Sequence, residues 1–192
     1  EGIRIYQKSL DIRREKLPFG SPKIGQTAGN LALASRQIGL FEQARSYAQL
    51  AIDAKLSAKK IDTSSLVKSY NELGASNRML GSYADALAAA NKVLELATAI
   101  NDSVFIANGH TIAGSAYYST KKWADAIEHY SQALHIQEDI LKNNPSVFLV
   151  EKDRAGTLNN LGVTYRELNQ FDKSLSFLNQ SAAAYLALFE KT

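Results

Sequence analysis

The sequence contains no cysteine and only three prolines and eleven glycines. The absence of cysteine excludes disulfides, thiolate metal sites and a cysteine nucleophile. A chain of many short strands needs a turn every few residues and therefore more glycine and proline than this one has. The composition favours long helices.

Long apolar runs are also missing. No segment approaches the roughly 18 to 20 uninterrupted apolar residues of a membrane-spanning helix, and the opening EGIRIYQKSL lacks the regions of a signal peptide. Because the chain begins as if already inside a helix, we expect it to be part of a longer protein. With 45% hydrophobic residues it has enough apolar surface for a buried core, and we expect a folded, soluble, cytoplasmic protein.

Charge of neither sign dominates, since the formal net charge is +3. The first 60 residues carry more basic than acidic side chains, and the remainder carries the reverse. Such asymmetry can steer an acidic partner toward one end of the protein.

An internal repeat is the main positive feature of the sequence. SYNELGASNRMLGSYADAL, which begins at Ser69, returns as TLNNLGVTYRELNQFDKSL, which begins at Thr157. Two further copies surround Gly39 and Gly114, and IYQKSLDI matches only the second half of the pattern. The interval is about 40–42 residues and is longer before the last copy. The predicted units are a half repeat at 1–20 and full repeats at 21–60, 61–101, 102–144 and 145–192.

Each full unit reads as a helical hairpin, because it holds two apolar stretches with helical period around a short polar turn. A small residue in the first helix lets the second helix approach, and an aromatic residue after the turn is expected to fill the wedge between them. The small residues are Ala32, Gly74, Gly114 and Gly162, and the aromatic residues are Phe41, Tyr83, Trp123 and Phe171. The predicted helices are 2–16, 23–38, 42–58, 63–80, 83–99, 103–119, 123–142, 148–168 and 171–189. The insertion ILKNNPSVFLVEKDR predicts an extended helix pair or a protruding loop.

This order of small and aromatic positions resembles the tetratricopeptide repeat, and the long period is similar to that of kinesin light chains and bacterial signalling proteins. IYQKSLDIRR and TLNNLG carry the resemblance. It implies an all-α protein, a single right-handed solenoid of about four and a half repeats, with a concave face lined by the first helix of each pair. The sequence departs from the pattern at Asn77, Ser174 and Ser181.

Catalytic and cofactor-binding patterns are lacking, so we expect no enzymatic activity, no cofactor and no metal. His129 and His135 lie six residues apart on one predicted helix, on different faces, and cannot share a metal. His110 falls at an inward-facing aromatic position and is expected to be a core or groove histidine. The paired lysines at the hairpin ends do not form one basic face, which argues against nucleic acid as a partner.

The resemblance places a set of polar side chains in the concave groove. Asparagine can pair with a peptide backbone through both donor and acceptor, and arginine suits the carboxylates of an acidic peptide. The candidate peptide-binding residues are Asn30, Arg36, Lys68, Asn71, Arg78, Asn108, Tyr118, Asn159, Asn160 and Arg166.

The leading hypothesis is a non-catalytic interaction module that binds a peptide or helix, with acidic character, in its groove. Two alternatives stay open. One is a regulatory segment of a larger signalling enzyme, such as a kinase or a caspase-like protease. The other is a self-associating scaffold, because the first and last helices carry apolar residues that can pair with another copy.

Overall fold

The computed structural model describes residues 2–145 and 147–190, and within these ranges it contains nine helices and no strand. The helices are α1 (Gly2–Lys16), α2 (Pro22–Gln37), α3 (Phe41–Leu56), α4 (Thr63–Met79), α5 (Tyr83–Ala99), α6 (Ser103–Ser119), α7 (Trp123–Asn143), α8 (Phe148–Glu167) and α9 (Phe171–Glu190). The predicted all-α class is confirmed, with small differences at the helix ends. The outermost residues of the predicted repeats and Ser146 lie outside the described residues.

Contacts divide the chain into two compact units, one up to Ile100 and one from Asn101 onward. The first unit contains α1 to α5, and the second contains α6 to α9. The boundary lies next to a predicted repeat boundary. That the repeats form one continuous solenoid stays a prediction.

In the first unit, the backbones of α2 and α4 approach each other closely, whereas those of α1, α3 and α5 do not. The first helices of the hairpins therefore lie closer together than the second helices, and α2 and α4 line the inner side of this unit. The helices α1 and α3 meet through side chains, since the Tyr47 hydroxyl donates to Oε1 of Gln7. Its core is built from small residues, with Ala28, Ala51 and Ala54 packed around Leu10 and Leu31. Alanine allows the helix backbones to approach closely and so permits this stacking.

The second unit repeats the arrangement, because the backbones of α6 and α8 approach each other closely while those of the described parts of α7 and α9 do not. A Cβ atom on Gly114 would lie 2.7 Å from Cδ1 of Tyr130, and one on Gly162 would lie 2.7 Å from Cγ of Leu178. The predicted role of these two glycines in close helix contact is confirmed. The longer α7 and α8 form the predicted extended pair.

All four hairpin turns use one backbone conformation. The second residue after the end of each first helix has a positive φ. The third residue donates its backbone N–H to the carbonyl five positions earlier, which satisfies the helix terminus. The positive φ angles are 80° at Gly39, 77° at Gly81, 61° at Lys121 and 57° at Asn169. The hydrogen bonds run from Leu40 to Ser35, Ser82 to Asn77, Lys122 to Tyr117 and Gln170 to Tyr165.

The prediction for the aromatic residue after the turn is wrong at Phe171. Trp123 packs against Tyr118, with ring centroids 5.1 Å apart, but the side chain of Phe171 is 63% exposed. Among the described helices only α8 packs against α9, and it covers the face that carries Leu178. Phe171 therefore lies on a side of α9 that no described helix covers.

Candidate functional site

The polar side chains predicted for the groove of the first unit lie on α2 and α4 and reach solvent. Asn30 and Lys68 are exposed, and Asn71 and Arg78 are partly exposed. In the described part of the chain no hydrogen bond or ion pair engages the Lys68 or Arg78 side chain. Both cations are therefore available to an acidic group that approaches this face.

Arg36 is in a different situation, because it forms an ion pair with Glu72 across the α2–α4 contact. Its Nε donates to Oε2 of Glu72 at 2.7 Å, and its Nη2 donates to Oε1 at 3.4 Å. The side chains are 31% and 12% exposed. The sequence analysis placed Arg36 among the candidate groove residues but gave it no partner. Because Arg36 is already paired with Glu72, it is not equivalent to the candidate arginines Arg78 and Arg166.

In the second unit the predicted residues are spread over α6 and α8. Asn159 is exposed, while Asn108 and Asn160 are partly exposed. The partly exposed Tyr118 is held against the Trp123 ring. Arg166 is 56% exposed in its side chain, and its Nη2 lies 3.5 Å from Oε1 of Glu167, a long contact that leaves the guanidinium accessible. Apart from the Tyr118 ring contact and the Arg166–Glu167 contact, the described residues show no side-chain hydrogen bond or ion pair at these positions, and their role in binding stays a prediction.

The hairpin of α6 and α7 joins two histidines that sequence reasoning kept apart. Nδ1 of His110 and Nδ1 of His129 are 3.0 Å apart, and Tyr117 stacks on His129 with centroids 5.3 Å apart. Burial, together with the neighbouring His129, lowers the pKa of His110 to about 4. Burial also lowers the pKa of His129, against the opposing effect of Glu128 and Asp125.

A signal for this pair was present in the sequence. His110 lies in the helix before the turn at Lys121 and His129 in the helix after it, and an antiparallel hairpin brings residues of its two helices together. The pair is not joined by further ligands, since no group of three or more metal-ligating side chains exists within the described ranges.

A cleft of about 680 Å³ lies between α3 and α5, above α4. Leu50, Leu73 and Ala89 give it an apolar floor, and Arg45 and Asp85 are among the charged residues that line it. Asn77, where the repeat pattern predicts an aromatic residue, also lines the cleft. Its Oδ1 is buried without a hydrogen-bond partner in the described structure. The equivalent positions of the second unit are Tyr117 and Tyr165, whose rings stack on His129 and Phe177.

None of the described helices combines the length and apolar character of a membrane-spanning segment.

Two family models described as tetratricopeptide repeat match the sequence, one at residues 65–139 and the other at residues 154–191. Together they cover more than half of the chain. A comparison with curated proteins finds no match.

Solved structures show the same fold at low identity. The apo form of RapI has a TM-score of 0.80 and 16% identity, over 98% of this chain and 65% of that one. A putative kinesin light chain from Podosopora anserina with nearly identical TPR-like repeats has a TM-score of 0.74 and 18% identity, over 99% of this chain and 87% of that one. A Rap protein complexed with Competence and Sporulation Factor has a TM-score of 0.76 and 13% identity, over 98% of this chain and 49% of that one. The chain thus spans about two thirds of RapI and half of the Rap protein.

Proposed function

Because this chain belongs to the tetratricopeptide repeat family, whose stacked hairpins serve as protein-interaction modules, we propose that it is a non-catalytic module that binds an acidic peptide or helix. Each unit has its own candidate binding surface, which is the exposed face of α2 and α4 in the first unit and the exposed face of α6 and α8 in the second. Stacked helical repeats offer extended concave surfaces of this kind.

The observation that carries the proposal is the pair of unengaged cations on α4. Lys68 lies in the first half of α4 and Arg78 at its end, and Asn71 lies between them in the sequence. A carboxylate that meets either cation forms a charge-assisted hydrogen bond, while the carboxamide of Asn71 can accept from and donate to a peptide backbone. An acidic extended segment satisfies all three groups.

Arg36 acts on this surface through Glu72. Their ion pair ties α2 to α4 at the inner side of the unit, so it holds the two binding helices in register. A carboxylate of the partner has to compete with Glu72 for this guanidinium. Arg36 is therefore a positioning residue in our proposal, and Lys68 and Arg78 supply the attraction.

In the second unit we assign Asn108, Tyr118, Asn159, Asn160 and Arg166 to the same kind of contact. Arg166 is its exposed cation. The fold similarity to RapI, and to a Rap protein complexed with Competence and Sporulation Factor, also favours a regulatory segment of a longer signalling protein. In that case the same surface receives the regulating partner.

Fluorescence anisotropy tests the proposal with a labelled peptide in which glutamate alternates with serine. We expect binding to weaken about tenfold or more when Lys68→Ala and Arg78→Ala are combined, since a hydrogen bond to a charged group contributes about 1.5–3 kcal/mol. The control protein is Lys8→Ala with Lys92→Ala, which loses the same charge from α1 and α5. The control peptide carries glutamine in place of glutamate.

Two results would contradict the proposal. One is equal weakening in the control protein, which would reveal a nonspecific charge effect. The other is equal affinity for the glutamine peptide, which would remove the acidic character of the partner.

A further inference from the structure

Lys55 is buried near the end of α3, with only 8% of its surface exposed. Its stem runs along two glycines of α2 that are one helical turn apart. A Cβ on Gly25 would lie 2.8 Å from Cγ of Lys55, and a Cβ on Gly29 would lie 3.7 Å from its Nζ. The absence of side chains on this face of α2 leaves the channel that the lysine occupies.

The ammonium group of Lys55 contacts α4, where its hydrogen-bond partners are neutral. Its Nζ donates to the carbonyl oxygen of Ser65 at 2.7 Å and to Oγ of Ser69 at 2.6 Å. An ammonium has three N–H donors, so one has no acceptor among the described residues. Buried charges in proteins are normally paired with an opposite charge. No described carboxylate lies within ion-pair distance of this Nζ.

Asp62 is the acid with the strongest influence on Lys55, and it is already engaged. Its Oδ1 accepts from the backbone N–H of Ser65 at 3.2 Å and caps α4. Burial lowers the pKa of Lys55 to about 8, Asp62 opposes that shift and Lys68 adds to it. The protein itself thus leaves the charge of Lys55 largely uncompensated.

Lys55 lines a small polar cavity of about 230 Å³, together with Gln26, Lys60, Asp62 and Ser65. Two of the lining side chains are cations and one is a carboxylate, so the cavity matches a ligand with a single negative charge. The first turns of α2 and α4 border it, contain no acidic residue, and add partial positive charge.

We propose that this cavity binds one carboxylate group, with the buried ammonium of Lys55 as its anchor. The carboxylate accepts the third N–H of Lys55, and Gln26 and Lys60 are the neighbouring donors. A dianionic phosphate suits the cavity less well, because Asp62 faces it. The site is distinct from the Lys68 and Arg78 surface and does not depend on the proposed peptide binding.

Propionate is the probe for this site, followed by NMR of the lysine side-chain signals at constant ionic strength, with chloride replaced by propionate. We expect the Lys55 signal to shift and saturate. Because only the ammonium form binds, and its pKa is about 8, affinity should fall about tenfold between pH 7 and pH 9. An exposed lysine keeps its charge over this range, so nonspecific binding would not change.

Variants and a neutral probe complete the test. Lys55→Met should abolish saturable binding, while the control Lys8→Met, at an exposed position of α1, should keep it within about twofold. If Lys55→Met does not fold, the pH dependence of propionate binding to the unmodified protein tests whether Lys55 is the anchor. Binding that is independent of pH, that survives in folded Lys55→Met, or that propionamide reproduces would overturn the site, and Lys55 would then serve only to join α3 to α4.

A competition experiment distinguishes a free organic acid from an acidic side chain of a peptide as the source of the carboxylate. If a glutamate peptide displaces propionate and its glutamine analogue does not, the site takes peptide side chains. If neither displaces it, the site is selective for small acids.

Discussion

Three polar groups stand out at the scale of single residues, because their chemistry depends on what the fold places beside them. Arg36 is paired with Glu72, Lys55 is buried beside neutral partners, and His110 faces His129. All three groups are partly or fully removed from water. Only Arg36 gains an opposite charge, whereas burial lowers the pKa of Lys55 and of His110.

The histidine pair predicts how stability depends on pH. The pKa of His110 is about 4 in the folded protein and near 6.5 when unfolded, so between these values the unfolded chain binds more protons. The free energy of unfolding must therefore fall as the pH drops from 6.5 to 4. We expect His110→Phe to reduce that loss by about 1–2 kcal/mol, allowing for partial solvent screening.

Urea denaturation at pH 7 and pH 4.5 measures this effect. The control is His135→Phe, because His135 is well exposed beside Asp139, and it should retain the pH dependence of the unmodified protein. If His110→Phe and the unmodified protein lose the same stability on acidification, the pair does not control the response.

At the scale of the helix, α8 carries two glycines with different surroundings. A Cβ on Gly162 would lie 2.7 Å from Cγ and 3.2 Å from the backbone nitrogen of Leu178, whereas a Cβ on Gly156 would lie 3.5 Å from the hydroxyl of Tyr185. The first position is part of the α8–α9 contact, and the second has room. The same substitution should therefore have opposite effects within one helix.

We expect Gly162→Ala to lower the free energy of unfolding by about 1–3 kcal/mol, because α9 has to move away. Gly156→Ala should leave stability unchanged or raise it by about 0.5–1 kcal/mol through higher helix propensity. Urea denaturation of both variants is the measurement. Equal destabilisation would show that close packing at Gly162 is not what distinguishes the two positions.

At the scale of the whole molecule, apolar residues remain exposed on α1 and α9. Ile5 and Ile12 are 60% and 52% exposed, and Leu175 and Leu186 are 61% and 60% exposed. Exposed apolar patches on a folded protein commonly mark interaction surfaces. They support the alternative hypothesis that copies of this chain associate.

Light scattering over a range of concentrations tests association. We expect the apparent mass of this chain to rise with concentration, and Leu175→Glu combined with Leu186→Glu to suppress the rise by making the α9 face polar. Asn179→Glu, at an exposed position of the same helix, controls for added charge. A constant monomer mass for the unmodified chain would exclude association through these faces.

The sequence by itself determined the helices, the hairpin turns and the two glycine contacts at Gly114 and Gly162. These features depend on periodicity and on backbone preferences over a few residues, and the repetition of the pattern made each copy support the others.

Only the tertiary structure decided which polar groups meet. The Arg36–Glu72 pair, the channel that holds Lys55 and the exposure of Phe171 depend on which faces of separate helices come into contact and at what distance. The repeat pattern specifies the apolar positions that hold helices together, because burial is the same requirement in every copy. It leaves the polar positions open, since their partners differ from one hairpin to the next.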